Sequence, residues 1–339
     1  MSRRTRCAHR LLSCCAAGLL AGLVLAGCAP TQQRISGPTM GTSYSVQWHG
    51  GALGSEEVRR RIEAELVRIN ALASNWDADS AISRLERKAG SGWADVDAEL
   101  AVLLDFAGLL HRQTGGVYDI TLGPVIDLWG FGPGPVRFQP PDADALDAAR
   151  ALTGMHRIER RPGQALLPAG MRLNLSSIAK GYAVDRLAEA LLDAGIRDFI
   201  AEIGGELRTS GRNASGAQWV LGVQNPGGGA VPMLRLTLPE GGAIATSGDY
   251  NNFFVYEERM YGHLLDGTTG APVQHAASVT VIAGDCMSAD GYATALAVLG
   301  PERARSLAER EGIAAVLVWR TGEGLLEPEI TPAAEPYIL

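Results

Sequence analysis

The chain has 339 residues, 46% of them apolar, with 30 basic and 37 acidic side chains and a formal net charge of −7. That length builds one large domain or two small ones around a substantial core, and the acidic balance weighs against a nucleic-acid partner, whose phosphates need clustered cations. Cys7, Cys14, Cys15 and Cys28 all lie near the start, so Cys286 stands alone in the remainder. If the first three are removed with a leader and Cys28 is modified, as the next segment implies, no intrachain disulfide framework is possible.

Arg3, Arg4, Arg6 and Arg10 form a basic start, and Leu11 to Val24 is a small apolar run too short for a membrane span. Leu25-Ala26-Gly27-Cys28 follows and resembles the lipobox of bacterial lipoproteins. The resemblance implies cleavage before Cys28 and lipidation of its thiol and amine. It predicts a signal peptide over 1–27, a lipid-anchored tether over 28–38 and a folded domain over 39–339. Loss of the leader takes four Arg from the 30 basic side chains and leaves 26 against 37 acidic, a formal charge of about −11. The implied location is the periplasmic side of the cell membrane, with inner or outer membrane left open.

Thr42 to Trp48 alternates like a strand, and Glu56 to Leu72 reads as an amphipathic helix with Val58, Ile62, Leu66 and Ile69 on one face. Ser74 to Ser80 breaks it. Ala98 to Thr114 is a second helix, stopped by Gly115-Gly116. Tyr118 to Pro135, aromatic and glycine-rich without a period, reads as a loop suited to a flat ligand or a lid. A short helix over Asp142 to Leu152, a strand over Met171 to Leu175 and a helix over Ala179 to Ala194 come next. Strands follow at Phe199 to Ile203, Glu206 to Gly211, Trp219 to Gln224, Met233 to Leu238 and Gly242 to Thr246. Phe253 to Tyr256 turns through Glu257-Glu258-Arg259 into a hairpin that returns over Tyr261 to Leu265. Ser278 to Ala283 is a β-branched strand, Pro301 to Glu311 a helix and Ala314 to Trp319 a last strand. Hairpin-like strand runs interspersed with helices predict an α+β fold.

Between strand and helix, Ser288 is the expected N-cap of a helix that ends at Gly300-Pro301. Asp290 and Thr294, four residues apart, project from one face near its start. Two hard oxygens facing one point suit Mg²⁺, which keeps water and substrate phosphates in its remaining positions. The same pair also fits an Asp that favours the helix dipole and a Thr bonded back to the chain.

Met40-Gly41-Thr42, Tyr118 to Thr121 with Gly123-Pro124 and Leu128 to Gly132, Ser176 to Asp185, Glu202 to Leu207, Ala245 to Tyr250, His263 to Gly270 and Ser278 to Gly300 together resemble the ApbE family of flavin transferases. They run in the family's order from residue 40 to about residue 320. The resemblance implies an ApbE-like, T-fold-related single large domain of mixed sheets with packed helices. It also implies a Mg²⁺-dependent enzyme that takes FAD as substrate, transfers its FMN half to a threonine hydroxyl of a target protein and releases AMP. The implied acceptors are extracytoplasmic flavin-carrying subunits of the Na⁺-translocating NADH:quinone reductase or of Rnf-type complexes. Carried over residue by residue, it assigns the metal to Asp290, Thr294 and the Ala179 carbonyl. Met40, Trp76, Tyr118, Asp119, Ser176, Lys180, Tyr182 and Leu264 fall to FAD, and His263, with Asp266 to orient it, to proton handling.

Each assignment has a plainer counterpart: Trp76 as a surface-loop aromatic, Tyr182 as a core residue, Lys180 as a solvated charge, His263 as a histidine satisfied by backbone. Asn174, Ser176-Ser177 and Asp266-Gly267 depart from the family's usual Asp, Gly-Gly and Asp-Pro. FAD hydrolysis at the same site and non-catalytic FAD storage remain the competing functions.

Overall fold

The computed structural model describes residues 32–229, 231–249, 252–320 and 326–339. The signal peptide, Cys28 and Tyr250 lie outside the described residues.

Gln33–Thr39 (β1) and Thr42–His49 (β2) pair through the two-residue turn Met40-Gly41. Most of the stretch expected as a tether is therefore an edge strand. Its Gly37 and Pro38 hide the strand period, and an edge tolerates a proline that a central strand would not. Ser55–Ala73 (α1) buries the predicted stripe of Val58, Ile62, Leu66 and Ile69. Ala81–Glu86 (α2), absent from the sequence expectation, is capped by Ser80, whose Oγ accepts from the Ser83 N–H. After the two-residue strand Ala94–Asp95 (β3), Ala98–Thr114 (α3) begins at the Asp97 cap and ends at Gly115, in the left-handed region at φ 64°.

Within the predicted loop, Gly123–Trp129 forms a short helix (α4), started by Pro124 and closed by Gly130. Ala143–Arg150 (α5) follows, and Glu159–Arg161 (β4) and Gln164–Leu166 (β5) join β3 in a small sheet. Met171 to Leu175 is not a strand. Its odd residues are buried as the alternation requires, but the Leu173 N–H donates to Glu86 and its carbonyl accepts from Asn75, so side chains satisfy backbone that a ladder would have used.

Ala179–Asp193 (α6), Asp198–Ile203 (β6), Glu206–Ser210 (β7), Val220–Val223 (β8), Leu234–Thr237 (β9) and Gly242–Ser247 (β10) match their predicted places within a few residues. Phe253–Tyr256 (β11) and Arg259–Gly262 (β12) form the hairpin, and Ala276–Ala283 (β13) leads into Cys286–Leu299 (α7). Pro301–Glu311 (α8), Ala314–Arg320 (β14) and Leu326–Ile330 (β15) complete the order.

The main sheet runs β1-β2-β6-β7-β10-β13-β14-β15. The α+β class holds, but every pair of strands in it is antiparallel rather than mixed. One face carries α1, α6, α3 and α7; β8 and β9 cover part of the other through Leu221, Val223 and Leu236 against Ile244 and Ile282. With both faces covered, β13 is buried along nearly its whole length, Ser278 and Thr280 included, instead of alternating. α7 is the central helix, buried around much of its girth, which explains its lack of a polar stripe.

Candidate active site

α7 starts three residues earlier than expected because Asp285, not Ser288, caps it: Asp285 Oδ1 accepts from the Ser288 N–H and Oδ2 from its hydroxyl. Across the helix pair, the Asp185 carboxylate of α6 accepts from the Cys286 and Met287 N–H groups, placing negative charge at the N-terminus of α7. Gly181 permits this approach. A Cβ there would stand 2.3 Å from the Cys286 carbonyl oxygen and 2.8 Å from Asp290 Cβ. The Gly181 N–H in turn donates to Asp290 Oδ2 at 2.9 Å. The spacing of Asp290 and Thr294 thus acts as predicted, and α6 and β10 fix both side chains: Thr294 Oγ1 shares a 2.8 Å hydrogen bond with Ser247 Oγ.

Both oxygens line a cavity of about 580 Å³, within the range of cofactor sites. Of the predicted residues, Met40, Tyr118, Asp119, Ser176, Lys180, His263, Leu264, Asp290 and Thr294 meet on its wall. Met40 is held at φ 48°, a left-handed conformation that is unfavourable for a residue with a Cβ, in a turn of two positive-φ residues matched to a tight hairpin. The Tyr118 hydroxyl is 2.7 Å from Ser177 Oγ, so the serine that departs from the family's glycine has a defined partner. Asn174, where the family usually has an acid, is likewise engaged, its Oδ1 accepting from the Ser176 N–H and hydroxyl.

Other predicted residues are placed elsewhere. Trp76 is 73% exposed and lies off the cavity wall. The Tyr182 hydroxyl donates to Glu99 at 2.6 Å, outside the cavity. Asp266 does not orient His263. Its Oδ1 accepts from the N–H groups of Thr268 and Thr269 and from the Thr268 hydroxyl, closing the turn after the hairpin. His263 instead places Nδ1 3.2 Å from the Asn252 carbonyl, so that bond requires the proton on Nδ1 and leaves Nε2 as the acceptor nitrogen. Ala179 opens α6, buried and off the cavity wall; the contact of that first turn with Asp290 runs through Gly181. Asp119 is occupied by structure as well, accepting from the N–H groups of Thr121 and Met155.

Sequence reasoning missed Glu206. This residue is 2% exposed, lines the cavity and forms a 2.5 Å ion pair with Lys180, which is therefore half-buried and paired instead of a free surface charge. Glu206 Oε2 is buried without a hydrogen-bond partner. An acid directly after Gly204-Gly205 in an otherwise strand-like stretch was the available signal. Burial pushes the Glu206 carboxyl up against the pull of Lys180. It also pushes Asp290 up to about 8, with the Glu206 charge adding to the effect. Burial lowers His263 from its ordinary value and so favours the neutral imidazole near pH 7, the Asn252 carbonyl offsetting part of the shift. Cys286 is fully buried and its thiol is pushed well up, consistent with a small inert filler.

The donor set fits Mg²⁺. Asp290 Oδ2 is held by a backbone N–H, no hydrogen bond among the described residues engages Oδ1, Thr294 adds a neutral oxygen one turn on, and burial with the nearby Glu206 charge raises the carboxyl against the pull of Lys180. Among the described residues no group of three or more His, Cys, Asp or Glu side chains is arranged to hold a metal ion, so an ion here would take most of its oxygens from water and substrate.

A second cavity of about 510 Å³ shares Asp119 with the first but contains neither candidate metal oxygen; His111, Arg112, Arg150 and His156 line it.

The model of the ApbE family matches residues 40–317. The FAD:protein FMN transferase of Vibrio cholerae is 36% identical over 312 residues, covering 90% of this chain and 93% of the relative. That of Haemophilus influenzae is 36% identical over 320 residues, with 90% and 92% covered. Among solved structures, the flavin transferase ApbE from Vibrio cholerae superposes with a TM-score of 0.83 at 33% identity, covering 91% of this chain and 99% of that one. The apo form of the Pseudomonas stutzeri flavinyl transferase ApbE gives 0.82 at 34%, with 91% and 96% covered.

Proposed function

This chain belongs to the ApbE family and is a FAD:protein FMN transferase, and from that premise we propose that transfer is Mg²⁺-dependent, takes place in the 580 Å³ cavity and ends on a threonine hydroxyl. Asp290 and Thr294, which both line the cavity, would hold the ion, which when bound supplies positive charge at the pyrophosphate and at the departing phosphate. The convergence of Asp290, Thr294 and His263 on one cavity carries the reading.

The residues of the chain do the rest. Met40, Tyr118 and Leu264 give the flavin apolar contact, and Ser176, its donors held by Asn174, brings a hydroxyl oxygen to the wall as an acceptor. Lys180, its charge balanced by Glu206, adds a cation close to where phosphate oxygens lie. His263, kept neutral by burial, accepts the proton of the incoming hydroxyl at Nε2 as the threonine oxygen bonds to the FMN phosphorus. The pyrophosphate P–O bond breaks and AMP leaves with the bonding electron pair.

The lipid anchor, the periplasmic location and acceptors of the Na⁺-translocating NADH:quinone reductase or Rnf type complete the proposal. They are supported by the lipobox-like Leu25 to Cys28 and by an enzyme class that acts on proteins.

The test is to incubate the mature protein with FAD, Mg²⁺ and a threonine-bearing acceptor domain, following in-gel flavin fluorescence and free FMN. Covalent label that disappears with EDTA and with the acceptor's Thr→Ala variant is the expected result. Free FMN without label would make the protein a FAD hydrolase, and undiminished label in EDTA would remove the metal.

A further inference from the structure

The second substrate of a flavin transferase is a polypeptide, so some surface next to the reacting phosphate must seat it. The β11–β12 hairpin stands at that place. Asn252 precedes it and His263 follows it, both on the cavity wall, while its two strands pair with each other and with no further strand among the described residues.

One face of the hairpin is committed: Phe254 and Tyr261 stack at 5.3 Å and pack on Trp129 and Phe131. The opposite face is closed at its base, where Asp249 lies under Gly262. Across from Gly262 and further out on the same face, Phe253 and Val255 are 44% and 59% exposed. Beside it, the chain after α4 folds back so that Arg137 N lies 2.4 Å from where a Gly130 Cβ would be, one residue from Phe131. That fold-back presents Val136 and Phe138, 69% and 70% exposed. Phe131, on the cavity wall, meets the hairpin through its committed face, so the two segments that carry these four exposed apolar side chains are tied together next to the cavity, a recurrence that points to an interaction surface.

We propose that this surface, the outer face of the β11–β12 hairpin with the Val136–Phe138 loop, docks the acceptor polypeptide. An extended apolar stretch of the acceptor lies along the hairpin, by side-chain contact or as an added strand, and delivers its hydroxyl residue to His263. The occupant follows from continuity: the surface runs directly into the wall that carries His263 and Asn252. The inference rests on the transferase reading.

The variants Val255→Asp, Phe138→Ser and their combination change bare positions, and thermal unfolding of each checks that the fold is kept. With the acceptor domain that the wild type labels, KM for the acceptor should rise at least tenfold in the double variant, while kcat at saturating acceptor and FAD affinity by fluorescence titration stay within about twofold. The control Val220→Asp, on β8, should leave the acceptor KM unchanged. An acceptor KM in the double variant equal to that of the wild type overturns the docking surface alone. So does a wild-type dimer that Val255→Asp dissociates without changing that KM, since the face would then join two copies. A wild type that labels no acceptor overturns the transferase reading, and the docking surface with it.

Discussion

At the scale of single residues, His263 is held ready by two opposed effects: burial that removes its charge and a carbonyl that fixes its tautomer. Because burial lowers its pKa, the neutral base should predominate well below pH 7. The kcat profile should therefore rise with pH through a value under the ordinary 6.5 and be flat above it. His263→Ala should slow transfer by about 10²–10⁴-fold, remove that acid limb and leave FAD binding intact. Stopped-time labelling from pH 5 to 8 with fluorescence titration of FAD reads both. Equal turnover in the variant would take His263 out of the chemistry.

Among elements, the closest contact that shapes the site is α6 against α7. Gly181→Ala sets a methyl against backbone of α7, which has no flexible end to give way, so the helices must part. The expected cost is about 1–3 kcal/mol of stability. Because the Gly181 N–H also holds Asp290, half-maximal activity should move to higher Mg²⁺ concentration. Denaturant unfolding and a Mg²⁺ titration measure the two effects; a variant as stable as the wild type would show that α6 can shift freely.

The hairpin tip offers the opposite case. Glu257 and Glu258 sit at φ 48° and 62° in a two-residue turn, where Asn-Gly is the comfortable pair. Replacing both with Asn-Gly should stabilise the protein by about 1 kcal/mol or more, seen as a higher denaturant midpoint with FAD affinity unchanged. Much of this level was legible in the sequence. The long apolar periods gave α1, α3 and α6 to within a residue or two at each end. What escaped was short or held by distant partners: α4 is seven residues starting at Gly-Pro, β1 carries Gly37 and Pro38, and Met171 to Leu175 alternates in burial while its backbone bonds to Glu86 and Asn75. The same limit applied to the site. Asp290 and Thr294 are one turn apart and could be paired by spacing, whereas Lys180 with Glu206, or His263 with Asn252, meet only after folding.

For the molecule as a whole, the unusual feature is how many buried carboxyls are pushed up. Burial raises Glu86, Asp185, Glu206, Asp249 and Asp290, the last to about 8. A carboxyl whose folded pKa exceeds its unfolded one binds protons more tightly in the native state, so its contribution is full below about pH 4 and is lost as pH rises through the raised value. Glu57 and Glu329 act in the opposite sense, but as surface ion pairs with little weight. His263 and His275, lowered by burial, offset part of the loss only up to the ordinary histidine value of 6.5. The metal-free protein should therefore become less stable between about pH 5 and 8, the range in which many proteins are most stable. Mg²⁺ with FAD binds the ionised site in the folded state and should reverse the slope, by RT ln(1 + [L]/Kd) at each pH. Asp290→Asn, which keeps an acceptor for the Gly181 N–H, should flatten the metal-free profile and abolish the Mg²⁺-dependent rise in Tm. Thermal scans of both proteins in EDTA and in Mg²⁺ with FAD decide the matter: a wild-type Tm that climbs from pH 5 to 8 in EDTA would mean that Asp290 is not the group that governs this window.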